Sequence, residues 1–166
     1  FLTCLPASVV GLLAHDTIKG LLFHPLPVAG ALFVGAVAIL VVESMKRTEK
    51  FQELDDVTPG LALGVGLFQC LSLWPGFSRA AATIMGGMIL GAKRKLAAEY
   101  SFVAAVPIMF AATGYDLYKS WSFLAAEDFS FFAVGFVVSF VAAWLAVKGF
   151  IHILGKTTLK PFAWYR

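Results

Sequence analysis

The sequence predicts an all-α membrane protein, a polytopic helical bundle built around one re-entrant helical hairpin. Three observations predict it. Of 166 residues, 60% are hydrophobic and only 14% charged, where a soluble domain carries about 25% charged residues. Several apolar runs approach the ~20 residues that a helix needs to cross hydrocarbon. From Val57 to Ala92 the chain is apolar or small except for Arg79, its one ionised residue, which follows a Pro75-Gly76 break.

Taken in order, Phe1–Leu13 reads as the tail of a helix that begins upstream. It lacks the basic n-region and small-residue cleavage site of a signal peptide. His15–Pro27 reads as a polar loop with an interfacial apolar patch, Val28–Val42 as a continuous apolar run lengthened to a span by its flanks, and Glu43–Asp56 as a charged loop. Leu96–Tyr118 is a second span with Pro107 as its kink. Trp121–Asp128 is a loop, Phe129–Ile151 a third span, and Phe162 the start of a further one. Trp121, Trp144 and Trp164 are the expected interfacial anchors. Residues 1–166 thus read as a single transmembrane domain and as a fragment of a longer protein that lacks its N-terminal part.

The stretch 59–92 behaves differently. Pro75-Gly76 divides it into arms of roughly 16 and 13 residues, each too short to span. Two half-helices meeting at a break predict a re-entrant hairpin, which is tolerated at depth where it is buried in protein or lines a wet cavity. Gly60 with Gly64, and Gly87 with Gly91, put a GxxxG on each arm and predict close helix packing. Loop charges agree with this topology. If the hairpin returns to its own side, Lys46, Arg47, Lys50, Lys93, Arg94, Lys95, Lys148, Lys156, Lys160 and Arg166 share one face, leaving Lys19 and Lys119 opposite. The positive-inside rule makes the rich face cytoplasmic. The formal charge of +3 implies no nucleic-acid partner, because the basic residues sit at loop ends rather than along one face. Cys4 and Cys70 show no CxxC spacing and read as small buried hydrophobes.

An arginine at membrane depth costs at least ~2.5–3.5 kcal/mol on insertion scales, so it is rarely kept without a partner or a purpose. Here it lies in Trp74-Pro75-Gly76-Phe77-Ser78-Arg79-Ala80-Ala81-Ala82-Thr83. Ser78 stands where an N-cap belongs, so the helix that follows aims its free amides and positive dipole end into the break. Thr83 is about one and a half turns on, and Gly76 lets the backbone approach a ligand. An arginine, two hydroxyls, a glycine and a helix N-terminus describe an anion site, with phosphate as the fitting ligand. The alternative is that Arg79 pairs with an intramembrane carboxylate or caps carbonyls of a neighbouring helix. From the residues alone both readings stay open.

The same run resembles the PGxSRSxxT motif of the bacterial undecaprenyl-diphosphatase, or bacitracin-resistance, family. Leu12–Lys19, Leu54–Thr58, Glu99-Tyr100-Ser101-Phe102 and Asp116–Trp121 are also similar, so the resemblance covers essentially the whole chain. It implies half of an inverted-repeat architecture in the multi-pass bacterial plasma membrane. It also implies hydrolysis of undecaprenyl diphosphate to undecaprenyl phosphate and inorganic phosphate at a site reached from the outer side, which recycles the peptidoglycan lipid carrier and confers bacitracin resistance. Carried over, Arg79, Ser78 and Thr83 are the catalytic set, and Gly76, Phe77, Ser78, Arg79 and Thr83 bind substrate. The motif's second serine is Ala80 here, which removes one donor. The family's glutamate-rich segment and serine-threonine-glycine-histidine turn are absent. The ligands of a divalent cation (Mg or Ca) are therefore expected upstream, with none in this chain, and the fragment is expected to be inactive alone. A homodimer is a further expected partner. The runner-up function is a polyprenyl-phosphate transporter or scramblase using the same kind of site.

Other polar residues receive plainer expectations. His15 and His24 lack a carboxylate cluster of ligand spacing, and His152 reads as a solvated face. Asp55-Asp56 caps the start of the hairpin, and Glu99 pairs with Lys95 one turn away. Gln69 and Ser72 face the break, while Met85, Met88 and Met109 belong to the core.

Overall fold

The computed structural model describes residues 1–120 and 129–166, with the side chains of residues 15–17, 19 and 129 outside that description. Among the described residues the order is α1 (Cys4–Leu13), α2 (His15–Leu22), α3 (Pro25–Ser44), α4 (Pro59–Gln69), α5 (Arg79–Ile89), α6 (Arg94–Ser120), α7 (Phe129–Lys156) and α8 (Lys160–Tyr165). Two 3-10 turns, Leu54–Asp56 and Cys70–Leu73, lead into and out of α4. Helices α3, α6 and residues Ser130–Lys156 of α7 are long and apolar enough to cross a membrane. The chain is an all-α, multi-span bundle. The predicted loop Trp121–Asp128, including the anchor Trp121, lies outside the described residues, as do the side chains of His15, Asp16 and Lys19.

His15–Leu22 is helical where a loop was expected. Ile18, Leu21 and Leu22 repeat at helical spacing, and that period outweighs the polar content. Met109 is 57% exposed rather than core, whereas Met85 and Met88 are buried as expected. Pro107 lies inside an α6 that runs on to Ser120.

The centre of the bundle is α5. Every residue from Ala82 to Met88 is buried, which marks a helix enclosed on all sides. Small residues make this possible. A Cβ on Gly86 would lie 2.5 Å from that of Phe68, and one on Gly64 would lie 2.6 Å from Leu90 Cδ1, so α4 and α5 pack antiparallel. On the other side a Cβ on Gly87 would meet Ala97 of α6 at 3.1 Å. The glycine pattern thus differs from two GxxxG motifs. Gly64 and Gly87 pack, but Gly60 faces open space apart from Thr58. Gly91 has φ +96 and ends α5: Gly91 N donates to Met88 O and Ala92 N to Gly87 O, the pairing of a Schellman turn. The tight contact on α4's outer face comes from Gly66, where a Cβ would meet Thr3 O at 2.6 Å.

Helix α3 serves as a ruler for the hairpin. At its C-terminal end, Glu43 pairs with Arg94 at the start of α6 and accepts a hydrogen bond from Leu159 N at 3.1 Å. Beside it Lys50 N and Phe51 N donate to Gly91 O, and Lys93 N donates back to Phe51 O. The Lys46–Lys50 and Lys93–Lys95 clusters therefore lie at the same end of the α4–α5 pair. The tip docks near the opposite end of α3. Trp74 Nε1 donates to Pro27 O at 3.0 Å, and a Cβ on Gly76 would lie 2.6 Å from Val28 O. From Glu43 to Val28 a helix rises about 22 Å, which is the spacing between the base and the tip of the α4–α5 pair. Arg166 departs from expectation. The turn at Leu159 is pinned to Glu43 and α8 then runs up α3, so Arg166 reaches the tip instead of joining the basic face.

Candidate functional site at the hairpin break

The break is built from local rules. Trp74-Pro75-Gly76-Phe77 closes a turn in which Phe77 N donates to Trp74 O at 3.1 Å. Proline in second place and glycine with φ +97 in third suit a type II turn. Ser78 follows with φ 74 and ψ 120, the one positive-φ residue other than glycine among the described residues. A non-glycine residue held there costs about 1–3 kcal/mol and persists because its surroundings impose it. Ser78 is the N-cap of α5, as expected. Its carbonyl accepts Ala82 N at 3.0 Å, and its hydroxyl oxygen accepts Ala81 N at 3.4 Å. The amides of Ser78, Arg79 and Ala80 have no partner among the described residues, so the positive end of the α5 dipole is uncovered.

Arg79 extends from this N-terminus toward α6, where its Nη1 donates to Ser101 O at 3.1 Å. The ion pairs among the described residues are Arg94–Glu43 and Lys95–Glu99, the latter the predicted one-turn pair at 3.6 Å. Arg79 has no acidic partner there. It does cap a neighbouring carbonyl, which is part of the alternative set out above, but that uses one of its five N–H groups. The remainder of the fork stays available.

Thr83 sits behind this arrangement. Its side chain is 1% exposed. Its hydroxyl lies 2.7 Å from Ser101 Oγ and 2.9 Å from Arg79 O. The structure brings Arg79, Thr83 and Ser78 onto the first turns of one helix, with Ser78 exposed, Arg79 half-buried and Thr83 enclosed. Phe77 is buried at 3% in the central core, so its backbone rather than its ring borders the break. Gly76 lies against α3. Sequence reasoning quoted Ser101 only as part of a similar stretch. The signal was a hydroxyl in an apolar run, but only packing reveals that Ser101 holds Thr83 through that hydroxyl and Arg79 through its backbone carbonyl.

Other expectations resolve as follows. Ser72 Oγ donates to Gln69 O at 2.7 Å, and Gln69 is buried with its Oε1 unpaired. Asp56 caps the 3-10 turn by accepting Gln52 N and Glu53 N, which hold its carboxyl below the ordinary carboxylate range. The cap of α4 itself is Thr58, whose Oγ1 accepts Leu61 N. His24 and His152 are exposed. No group of three His, Cys, Asp or Glu residues is close enough to hold a metal ion among the described residues, and Glu43 is engaged by Arg94. These residues do not fit a cation site, and no step is derived through one.

Among the described residues, Arg79 thus lies without a carboxylate partner beside three uncovered amides, on a proline-glycine break between short helices. The model of the bacitracin resistance protein BacA family matches residues 1–166. The chain belongs to this family. It is 69% identical over 166 residues to an undecaprenyl-diphosphatase of Maridesulfovibrio salexigens, covering 100% of this chain and 63% of the relative. It is 64% identical over 165 residues to that of Oleidesulfovibrio alaskensis, covering 99% and 62%. Over 168 residues it is 54% identical to that of Lawsonia intracellularis, covering 100% and 63%. The chain thus spans between three fifths and two thirds of the length of the curated relatives it matches.

Proposed function

We propose that this chain carries the diphosphate-clamping half of an undecaprenyl-diphosphate phosphatase, a membrane hydrolase. The observation that carries the reading is Arg79: a guanidinium without a carboxylate among the described residues, beside the uncovered amides of Ser78, Arg79 and Ala80. The relatives' shared name supports the substrate. In the reaction, water attacks the terminal phosphorus of undecaprenyl diphosphate. The P–O bond to the bridging oxygen breaks, inorganic phosphate forms, and undecaprenyl phosphate leaves. Charge grows on the phosphoryl and bridging oxygens, and catalysis is mainly positioning and neutralisation. Arg79 and the amides supply donors that need no reorganisation, and the exposed Ser78 hydroxyl adds another. Thr83 and Ser101 hold Arg79 in place rather than meeting substrate first. A cavity of about 210 Å³ opens beside Ser78 and is walled by Ala80, Ile84, Met85 and Phe150, which suits the lipid portion.

The remaining parts of the reading rest on the same frame. The hairpin is re-entrant, a reading supported by the basic loops at its base and the position of its tip near the far end of α3; that it is one of two inverted repeats follows from the family resemblance. The site then opens toward the outer side of the bacterial inner membrane. A divalent cation is held by carboxylates of the upstream segment.

Phosphate release from undecaprenyl diphosphate by detergent-solubilised full-length protein is the test, with Arg79→Ala beside it. Release by the wild type and its loss in the variant are expected. A variant that still hydrolyses but no longer moves polyprenyl phosphate across vesicles would favour the transporter instead.

A further inference from the structure

Arg79 leans from the break toward α6, whereas Arg166 reaches it along α3. Its Nη2 donates to two successive carbonyls, Gly76 O at 2.5 Å and Phe77 O at 2.6 Å. The guanidinium rests on α3 at Gly35, where a Cβ would lie 2.9 Å from Nη1 and 3.2 Å from Cζ. A side chain at this position would oblige the guanidinium to shift. The two carbonyls belong to the peptides that flank Phe77, between the positive φ of Gly76 and that of Ser78. None of these peptides is cis, and in a trans peptide the C=O and N–H point in opposite directions. Holding Phe77 O toward Arg166 therefore turns Ser78 N–H away from it.

We propose that Arg166 is a positioning residue of the phosphatase site. It fixes both peptide planes of the break, so that the Ser78 amide rather than the carbonyls faces the diphosphate, and it neutralises the carbonyl ends that would otherwise repel an anion. It also explains how Ser78, a serine, stays at φ 74. A charged donor on both carbonyls supplies the surrounding constraint that such a conformation requires. The proposal rests on the hydrolase reading given above.

The test uses full-length enzyme. Wild-type phosphate release comes first; if it is absent, the functional reading fails, and this proposal with it, before any variant is made. Arg166→Met is then compared with wild type in kcat, KM, thermal unfolding and the inhibition constant for orthovanadate, a mimic of the phosphoryl transition state. That constant does not depend on the fraction of folded enzyme. It is expected to rise about tenfold, the equivalent of one charge-assisted hydrogen bond. KM should move less than about threefold, since remote contacts of the lipid dominate ground-state binding. Arg166→Lys, which keeps the charge but not the planar fork, should recover part of the loss. An unchanged vanadate constant, with kcat lowered only as folded enzyme is lost, would overturn the proposal and leave Arg166 a packing residue. If Arg166→Met does not fold, Gly35→Ala decides the matter. It displaces the guanidinium without removing it, and a vanadate constant equal to wild type would be equally fatal.

Discussion

The base and the tip of the α4–α5 hairpin each carry an arginine, and the two have opposite fates. At the base, Arg94 is paired with Glu43, whose side chain is 2% exposed, and Glu43 also accepts Leu159 N. The strands of loop beside it satisfy one another through Lys50, Phe51, Gly91 and Lys93. At the tip, among the described residues, Arg79 meets a single carbonyl, three amides are uncovered, and Ser78 is strained. Buried polar groups are normally satisfied. At the base the polar contacts are closed and the residues hold the fold, whereas at the tip donors are left open, which is what the proposed function uses.

The largest test of this contrast swaps the two arginines' roles. Arg79→Ala is expected to lower kcat about 10²–10³-fold, the cost of removing one preorganised donor, while the unfolding temperature stays near wild type. Glu43→Ala should do the reverse. It strands Arg94 and Leu159 N, and should destabilise at the low end of the ~3–5 kcal/mol found when a buried pair loses one partner, because Arg94 is 28% exposed. Its kcat per folded molecule should hold. If both variants lost activity and stability alike, base and tip would not be separable.

Between the two ends lies the packing that sets their separation. Gly86→Ala would place a Cβ 2.5 Å from that of Phe68, and this overpacking should cost about 1–3 kcal/mol in thermal unfolding of the full-length protein. Thr83→Val keeps the shape but removes the bond to Ser101. It should cost about 1 kcal/mol of stability and reduce kcat more than stability, because Ser101 also steadies Arg79.

The smallest effect belongs to the exposed turn at the base. Asp56 has a folded-state pKa below its unfolded value, because Gln52 N and Glu53 N donate to its carboxylate. Its contribution is therefore present above the ordinary carboxylate range and disappears as pH falls through the lowered folded-state value. An acid titration of unfolding in wild type and Asp56→Asn should show a slightly shallower acid-side slope in the variant.

Much of this was legible without coordinates. The apolar runs became α3, α6 and α7, because an apolar segment of spanning length has few alternatives to helix in lipid. Trp74-Pro75-Gly76-Phe77 announced its turn, since proline presets one dihedral and glycine permits the other, and Ser78 announced a helix start. Gly91 and Gly64 could not be told apart in this way. Both sit in GxxxG spacing, yet one forms a turn and the other a packing face, which depends on where α5 stops. The polar content of residues 15–22 likewise hid a helical period.

By itself the sequence determined the helical, membrane-spanning character of the chain, its break, and the cation at that break, because each follows from local chemistry within a few residues. The tertiary structure alone decided who meets that cation and who does not. Ser101 lies 22 residues beyond Arg79, and Arg166 lies 90 beyond Gly76. Thr83 was enclosed rather than open because α6 covers it, and Arg166 left the basic face because α8 turns back along α3. Such contacts depend on which helices become neighbours, and no local pattern of residues encodes that.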